Sequence, residues 1–363
     1  MTETTLEDVE GASVTRTAPQ PATKATTRGP RYEAALSGFR NYWYPVAPSR
    51  SLKTKPLSIK MLGETVMFMR HEGKAYALQD LCAHRGVPLS KGRSYFPGHI
   101  TCIYHGFTFD LKNGQCSGIL TDGPNSPLVP RTRVKSYPVE ERAGFIWVYM
   151  GDAPAPPVED DIPDEMLEDG VAIECRIANW ACNWRAAVEN GTDHAHALTL
   201  HRRDPWWIFK QMPAWRDCET TFTEDGKWLT RKSLETKMSD DYPGLGRWPT
   251  GEWYRFSRIN VLSRVRLPGI VGQSFPDFHH LRWAVPVDGT TTRNFQFAVT
   301  KGSAIKRAWF HLRYWLWIRW MFHVLFNGTD KWLLERLDYS APEAMFRPDR
   351  VIIDWRRWCE SAR

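Results

Sequence analysis

Nowhere in this 363-residue chain does an apolar run reach the roughly 20 residues that a bilayer-spanning helix requires. The segment that comes nearest, AIKRAWFHLRYWLWIRWMFHVLF (304–326), is cut by Lys306, Arg307, Arg313 and Arg319, which excludes a membrane span and predicts a buried or lid helix. From Lys301 to Gly328 there are five basic and no acidic residues, a pattern that fits a docking face or a solvated helix face. Cysteine is scarce and odd in number, seven in all, so a disulfide framework is a poor fit and thiol or metal chemistry in a reducing compartment a better one. Strong charge is missing as well: 48 Lys and Arg against 41 Asp and Glu fall short of the concentrated basic patch of a nucleic-acid binder, and an acidic protein partner fits better. The opening MTETTLEDVEG is acidic and polar where a secretion signal is basic and then apolar, which predicts a cytoplasmic protein. There is no G-x-G-x-x-G dinucleotide fingerprint and no C-x₄-C-x₂-C spacing, so the chain cannot take hydride from NAD(P)H unaided.

What is present suffices for two sizeable cores: 42% hydrophobic and 13% aromatic residues. Residues 1–37 are rich in Thr, Ala and Pro and predict a flexible tail. From GFRNYWYPV to FIWVYM, strand-like pieces such as TVMFMR and AYALQD alternate with the turn signals HEGK and KNGQ, an all-β module over residues 38–156. GDAPAPPVEDDIPDEMLEDG (151–170) reads as a linker wrapped over the surface. Residues 157–363 form a second domain, with a helix around NWRAAVEN, strands such as HLRWAVPV and RNFQFAVT, and closing helical text. The fold class is α+β, the second domain an antiparallel sheet gripping helices.

Two short motifs carry chemistry in the first module. CAHRG and CIYHG supply Cys82-x-His84 and, further on, Cys102-x-x-His105, each at a turn tip followed by Gly86 or Gly106. Zinc accepts such a Cys₂His₂ set, but the spacing departs from finger patterns. A Rieske [2Fe–2S] centre uses two thiolates on one iron and two imidazoles on the other, and this order of ligands matches it throughout. Arg85 and Tyr104 are placed to tune such a cluster, whereas Cys116, Cys175, Cys182, Cys218 and Cys359 read as packing residues.

The second domain contains ENGTDHAHALTLH, with Asp193-x-x-His196-x-x-x-x-His201. Two histidines and a carboxylate on one face of an iron leave the other face open, as in non-haem Fe(II) oxygenases. Asp193 and His196 share a helix face, but His196 and His201 lie about 140° apart on an ideal helix, so the helix should end or bulge between them. His194 points elsewhere. The carboxylate is expected from distant sequence: Asp330 in FNGTDKW is the first choice, with Glu335 and Asp338 behind it, and Asn190 is placed to hydrogen-bond near the metal. Of the eighteen tryptophans, some can line a pocket for a flat or fused ring, and most are expected in the core.

With both sites in view, the chain resembles the α-subunit terminal oxygenases of the Rieske non-haem iron ring-hydroxylating family, most of all the homotrimeric carbazole 1,9a-dioxygenase-like type, through GFRNYWYPV, TCIYHG, KSYPVEE and NWRAAVENG. The resemblance implies a helix-grip, START-like catalytic domain, a cluster on Cys82, His84, Cys102 and His105, and mononuclear Fe(II) on His196, His201 and Asp330. It also implies that Asp193 bridges the two centres across a head-to-tail ring of three subunits. A separate ferredoxin or NAD(P)H reductase would supply electrons, O₂ would be the co-substrate, and a small aromatic compound would be mono- or dihydroxylated. Oxidative demethylation uses the same site, so pocket shape decides among these outcomes. Two other classes compete. A pure Rieske electron carrier needs no second iron, and a zinc-stabilised binding module needs neither iron site.

Overall fold

The computed structural model describes residues 28–193, 195–196, 199–203, 214–238, 241–242, 244, 246–247 and 262–363. Three small antiparallel sheets build the first unit. One holds Leu57–Met61, Glu64–His71, Lys74–Gln79 and Ser136–Tyr137, and the second His99–Thr101, Phe107–Asp110 and Cys116–Ile119. The third orders Tyr42–Pro48, Phe145–Met150 and Val139–Arg142. Gly73 and Gly114, both at positive φ, close the hairpins that HEGK and KNGQ announce.

The second unit is a seven-stranded antiparallel sheet in the order Val171–Trp180, Thr292–Lys301, His279–Pro286, Ile270–Ser274, Leu262–Arg266, Leu229–Met238, Ala214–Phe222. The period of two divides its central strands into two unlike faces. Trp283 and Phe297 point toward the first unit, where Trp147 and Phe145 meet them with ring centroids 5.0 Å apart in each pair. Each fully buried ring of this kind stabilises by roughly 1.5–3 kcal/mol, so the two units are fused through one apolar core. The other face carries His280, Arg282 and Ala284 opposite Ala298, Gln296 and Asn294. Helices cover it.

Those helices are α1 (Pro30–Ala34), α2 (Trp184–Thr192), α3 (Ala304–Arg313), α4 (Asn327–Leu334) and α5 (Arg350–Cys359), with a π-helical stretch, Tyr314–Phe326, joining α3 to α4. In α2 the Asn183 side chain caps the first turn by accepting from the Arg185 amide at 3.0 Å. Ala186, Ala187 and Val188 then pack it on the sheet.

Three expectations are corrected. The tail does not run through residue 37, because residues 28–37 dock on the second unit. Tyr32 is buried and donates to Glu189 at 2.6 Å, while the Trp184 indole donates to the Ala35 carbonyl at 2.8 Å. Glu189 also pairs with Arg356 at 2.7 Å. One aromatic anchor with a buried partner overrides the polar composition around it. The 151–170 segment lies over the surface but is pinned there, more firmly than a linker. Its Val158, Ile162 and Met166 recur every fourth residue and are buried, and Asp161 accepts the Trp43 amide at 2.8 Å. Finally, 304–326 is buried along one seam only, through Phe310, Tyr314, Ile318, His323 and Phe326. Trp309, Trp315, Trp317 and Trp320 are exposed, so the expectation that most tryptophans are core fails on this segment.

Candidate metal centres

The two turn tips of the first unit are built alike. The Cys82 amide donates to Val87 O at 2.9 Å and Gly86 closes back on Cys82 O at 2.8 Å. The Cys102 amide donates to Phe107 O at 2.8 Å and Gly106 closes on Cys102 O at 3.1 Å. Both glycines sit in the left-handed region, at φ 68° and 69°. This geometry sends each sulfur inward, into a small core with Leu89, Ile100 and Phe109, and each imidazole outward. The Nδ1 atoms of His84 and His105 face each other at 3.1 Å. Burial pushes the Cys82 thiol up to about 11; the backbone N–H of His84 opposes this and neighbouring Cys102 adds to it. Two converging buried sulfurs and two converging outward nitrogens fit a cluster with split thiolate and imidazole ligation. Tyr104 reaches His105 through its ring, with centroids 3.8 Å apart, rather than through its hydroxyl.

In the second unit α2 stops at Thr192. Asp193 turns to extended backbone, its amide closing on Glu189 O at 2.9 Å, and a 3₁₀ turn over Leu200–Arg203 brings in His201. The helix therefore ends before Asp193, earlier than the end or bulge expected between His196 and His201, so Asp193 and His196 do not share a face of it. Asp330, in the first turn of α4, meets both rings: its Oδ1 lies 3.4 Å from His196 Nε2 and 3.2 Å from His201 Nε2. Ligands about 2.1 Å from one first-row ion and roughly 90–110° apart are separated by about 3.0–3.4 Å, so these spacings fit a shared metal. Among the described residues, His196, His201 and Asp330 are the group of three whose donor atoms converge in this way.

The surroundings fix which atoms face the centre. His196 Nδ1 is 3.3 Å from Asp193 Oδ2, and His201 Nδ1 is 3.0 Å from the Thr329 hydroxyl, so each ring turns Nε2 toward Asp330. Asp193 also accepts the Ala195 amide at 2.7 Å, which holds the turn. Burial alone would raise the Asp330 carboxyl, but hydrogen bonding from His196 and His201 and the Arg282 charge hold it far below the usual range. Burial pulls His196 down while Asp193 and Asp330 pull it up more strongly, to about 9.

The other residues singled out around this centre, His194 excepted, take these positions. Asn190 donates to Asp330 Oδ1 at 3.3 Å. Glu335 accepts the Ala181 amide at 2.9 Å, and Asp338 closes a turn on the Ser340 amide at 2.9 Å, so neither joins the group. His194 lies outside the described residues. Sequence reasoning missed Arg282, fully enclosed behind the carboxylate: it faces Asp330 Oδ2 at 3.4 Å and donates to Asn190 Oδ1 at 3.1 Å and Ala187 O at 2.6 Å. It also missed Gly191, where a Cβ would stand 2.5 Å from the Arg282 guanidinium. The signal was available. HLRWAVPV alternates, and alternation puts His280 and Arg282 on one face.

The chain is similar to known proteins along most of its length. A family profile described as the Rieske [2Fe-2S] domain matches residues 42–138, and one described as homotrimeric ring hydroxylase matches residues 149–215. The chain belongs to the Rieske non-haem iron oxygenases, enzymes that carry a [2Fe–2S] cluster in an all-β domain and a mononuclear iron in a catalytic domain. It is 32% identical over 358 residues to the carbazole 1,9a-dioxygenase terminal oxygenase component of Sphingomonas sp., covering 90% of this chain and 92% of that one. It superimposes on a carbazole-bound oxygenase variant in complex with the ferredoxin of carbazole 1,9a-dioxygenase, with TM-score 0.81, 28% identity and 92% of each chain covered. The terminal oxygenase of Nocardioides aromaticivorans IC177 matches with TM-score 0.79 and 28% identity over 93% of this chain and 98% of that one. Among the described residues no helix is long and apolar enough to cross a membrane.

Proposed function

We propose that this chain is the oxygenase component that hydroxylates an aromatic or fused-ring substrate with O₂, with Cys82, His84, Cys102 and His105 holding the cluster and His196, His201 and Asp330 the iron. The convergence of two Nε2 atoms on one carboxylate oxygen is the observation that carries this reading. When bound, the cluster supplies single electrons and the ferrous ion supplies dioxygen activation. The chain's own work is orientation. Asp193 and Thr329 set the imidazole tautomers, and Arg282 and Asn190 hold the carboxylate so that Oδ1 faces the metal position. Phe326, stacked on His201 with centroids 3.9 Å apart, shields the centre from water.

The division of labour follows residues 38–156 for the cluster and 157–363 for the iron, with residues 28–37 belonging to the second unit. The cluster imidazoles lie toward the surface and the Asp193 side chain is partly open, which supports a ring of three in which Asp193 meets a neighbouring subunit's cluster. A ferredoxin as the immediate donor follows the solved complex of the related oxygenase, and seven free cysteines support the cytoplasm. The test is purified protein with a compatible ferredoxin and reductase. About three irons per chain, a Rieske absorption spectrum and aromatic-dependent O₂ uptake are expected. Zinc in their place would falsify the reading.

A further inference from the structure

Beyond the iron ligands, the covered face of the sheet carries a second polar cluster that the oxygenase reading does not use. His280 and His323 are both buried, with ring centroids 5.2 Å apart. Gln296 stands on the neighbouring strand one pair along, opposite Arg282 on one side and Arg176 on the other. Both ring nitrogens of His280, Nε2 of His323 and Nε2 of Gln296 are buried without a hydrogen-bond partner among the described residues. Each such group is destabilising if left unmet, so four in one place point to a ligand that meets them. The cluster adjoins the iron centre through one aromatic tier. Phe322 contacts His280 with centroids 4.8 Å apart and stacks on Phe326 at 5.1 Å, and Phe326 stacks on His201.

The polarity of the cluster is legible. The Tyr314 hydroxyl lies 3.1 Å from His323 Nδ1. Donating to that nitrogen is the arrangement that satisfies the buried phenol proton, and it leaves His323 with its own proton on Nε2. Arg176 donates to Gln296 Oε1 at 3.4 Å, which turns the amide NH₂ to the unpaired side. A neutral His280 adds one donor and one acceptor. Burial keeps both imidazoles neutral, pushing His323 down to about 3 and His280 well below its usual value. Donors therefore outnumber acceptors, and the missing partner is an acceptor atom.

We propose that His280, His323 and Gln296 form a substrate-recognition subsite for an acceptor oxygen conjugated to a planar aromatic ring, an aryl ketone or an arenecarboxylate. The inference rests on the oxygenase reading only for calling the ligand a substrate. Arg176 beside Gln296 accommodates the carboxylate arm, and the neutral imidazoles accommodate the ketone arm.

Fluorene and 9-fluorenone share one ring frame and differ in CH₂ against C=O, and fluorene-1-carboxylate supplies the anionic arm. Binding is measured on iron-loaded protein by quenching of tryptophan fluorescence, without turnover. Fluorenone or the carboxylate should bind about tenfold more tightly than fluorene, the worth of one or two well-placed hydrogen bonds. In His323→Phe and in Gln296→Leu the gap should narrow to within about twofold, and His323→Gln, which keeps a donor, should restore part of it. The Rieske spectrum and thermal midpoint of each variant report folding. Equal affinity for all three probes in the wild type means that water alone meets these groups, and overturns the proposal. A gap that persists in both variants overturns it too. Iron and O₂ uptake without any probe preference defeats this subsite and leaves the oxygenase reading intact; probe preference without iron does the reverse.

Discussion

Cys82, His84, Cys102 and His105 come from two adjacent hairpin tips, whereas the iron-type donors are gathered from segments far apart: Asn190 meets Asp330 across 140 residues and His201 meets Thr329 across 128. The first centre is a local object, each tip closed by its own glycine and its own backbone hydrogen bonds. The second exists only once α2, the sheet and α4 have packed. It is deeply enclosed, with His201, Asp330 and Arg282 all buried, while the imidazoles of the first centre lie near solvent. A local centre tolerates change elsewhere. An assembled one depends on every element that delivers a donor.

The sharpest way to break that contrast is Asp330→Ala. It removes the carboxylate that both histidines and Arg282 face, leaving a buried guanidinium without its counter-charge, a loss of about 3–5 kcal/mol. The expected outcome is protein without mononuclear iron, a lowered thermal midpoint and an intact Rieske spectrum. Iron analysis and visible absorption read the two centres separately. Loss of both signals together would show that the first centre is not local. The reciprocal change, Cys82→Ser, should abolish the visible absorption and retain about one iron per chain.

This difference in construction also decided what could be read in advance. All four residues proposed as cluster donors could be picked out because their pattern is contiguous and because Gly86 and Gly106 mark the turns. The proposed pair His196 and His201 was legible from its spacing, and angular geometry called for a break in the helix between them, although α2 already stops at Thr192. Asp330 was a choice among three carboxylates, since nothing local distinguishes a buried aspartate from an exposed one. Arg282 was legible only as a residue sharing a strand face with His280. It sits mid-strand in apolar text, and its meaning comes from a carboxylate 48 residues away. The same holds for Tyr32, whose burial depends on Glu189 and Trp184, and for the exposed tryptophans of 304–326, where one buried seam left the remaining aromatics outside.

Two milder substitutions sharpen the comparison by loosening the assembled centre without dismantling it. Asp193→Asn keeps the size of the side chain but weakens the hold on His196 Nδ1, and outer-shell partners of this kind are worth about 10–100-fold in metal affinity. Competition with a chelator measures it, and an unchanged iron affinity would deny Asp193 any role in orienting the ring. Gly191→Ala sets two effects against each other. Alanine is the better helix former by about 1 kcal/mol, yet its Cβ would meet the Arg282 guanidinium at 2.5 Å. Overpacking costs about 1–3 kcal/mol, so the variant should be less stable than the wild type by thermal melting and should bind iron more weakly.

The smallest effect is a pH dependence that separates the two pairs of histidines. In metal-free protein Asp193 and Asp330 overcome burial and raise His196 to about 9, against roughly 6.5 in the unfolded chain. The folded form then holds a proton that the unfolded form releases first, so this contribution to stability is complete below about pH 6.5 and disappears as pH rises through about 9. Iron requires the same nitrogen without its proton. Apparent Fe(II) affinity should therefore rise about tenfold per pH unit between 7 and 8, worth about 1.4 kcal/mol, and level off above about 9. Over the same interval the thermal midpoint of metal-free protein should fall, and the gap to the iron-loaded form should widen. His105 moves the other way: partial desolvation and the neighbouring His84 and Arg85 lower it. A flat profile of iron uptake from pH 7 to 9 would mean that His196 does not carry its proton between two carboxylates, and the assembled centre would lose the feature that most distinguishes it from the local one.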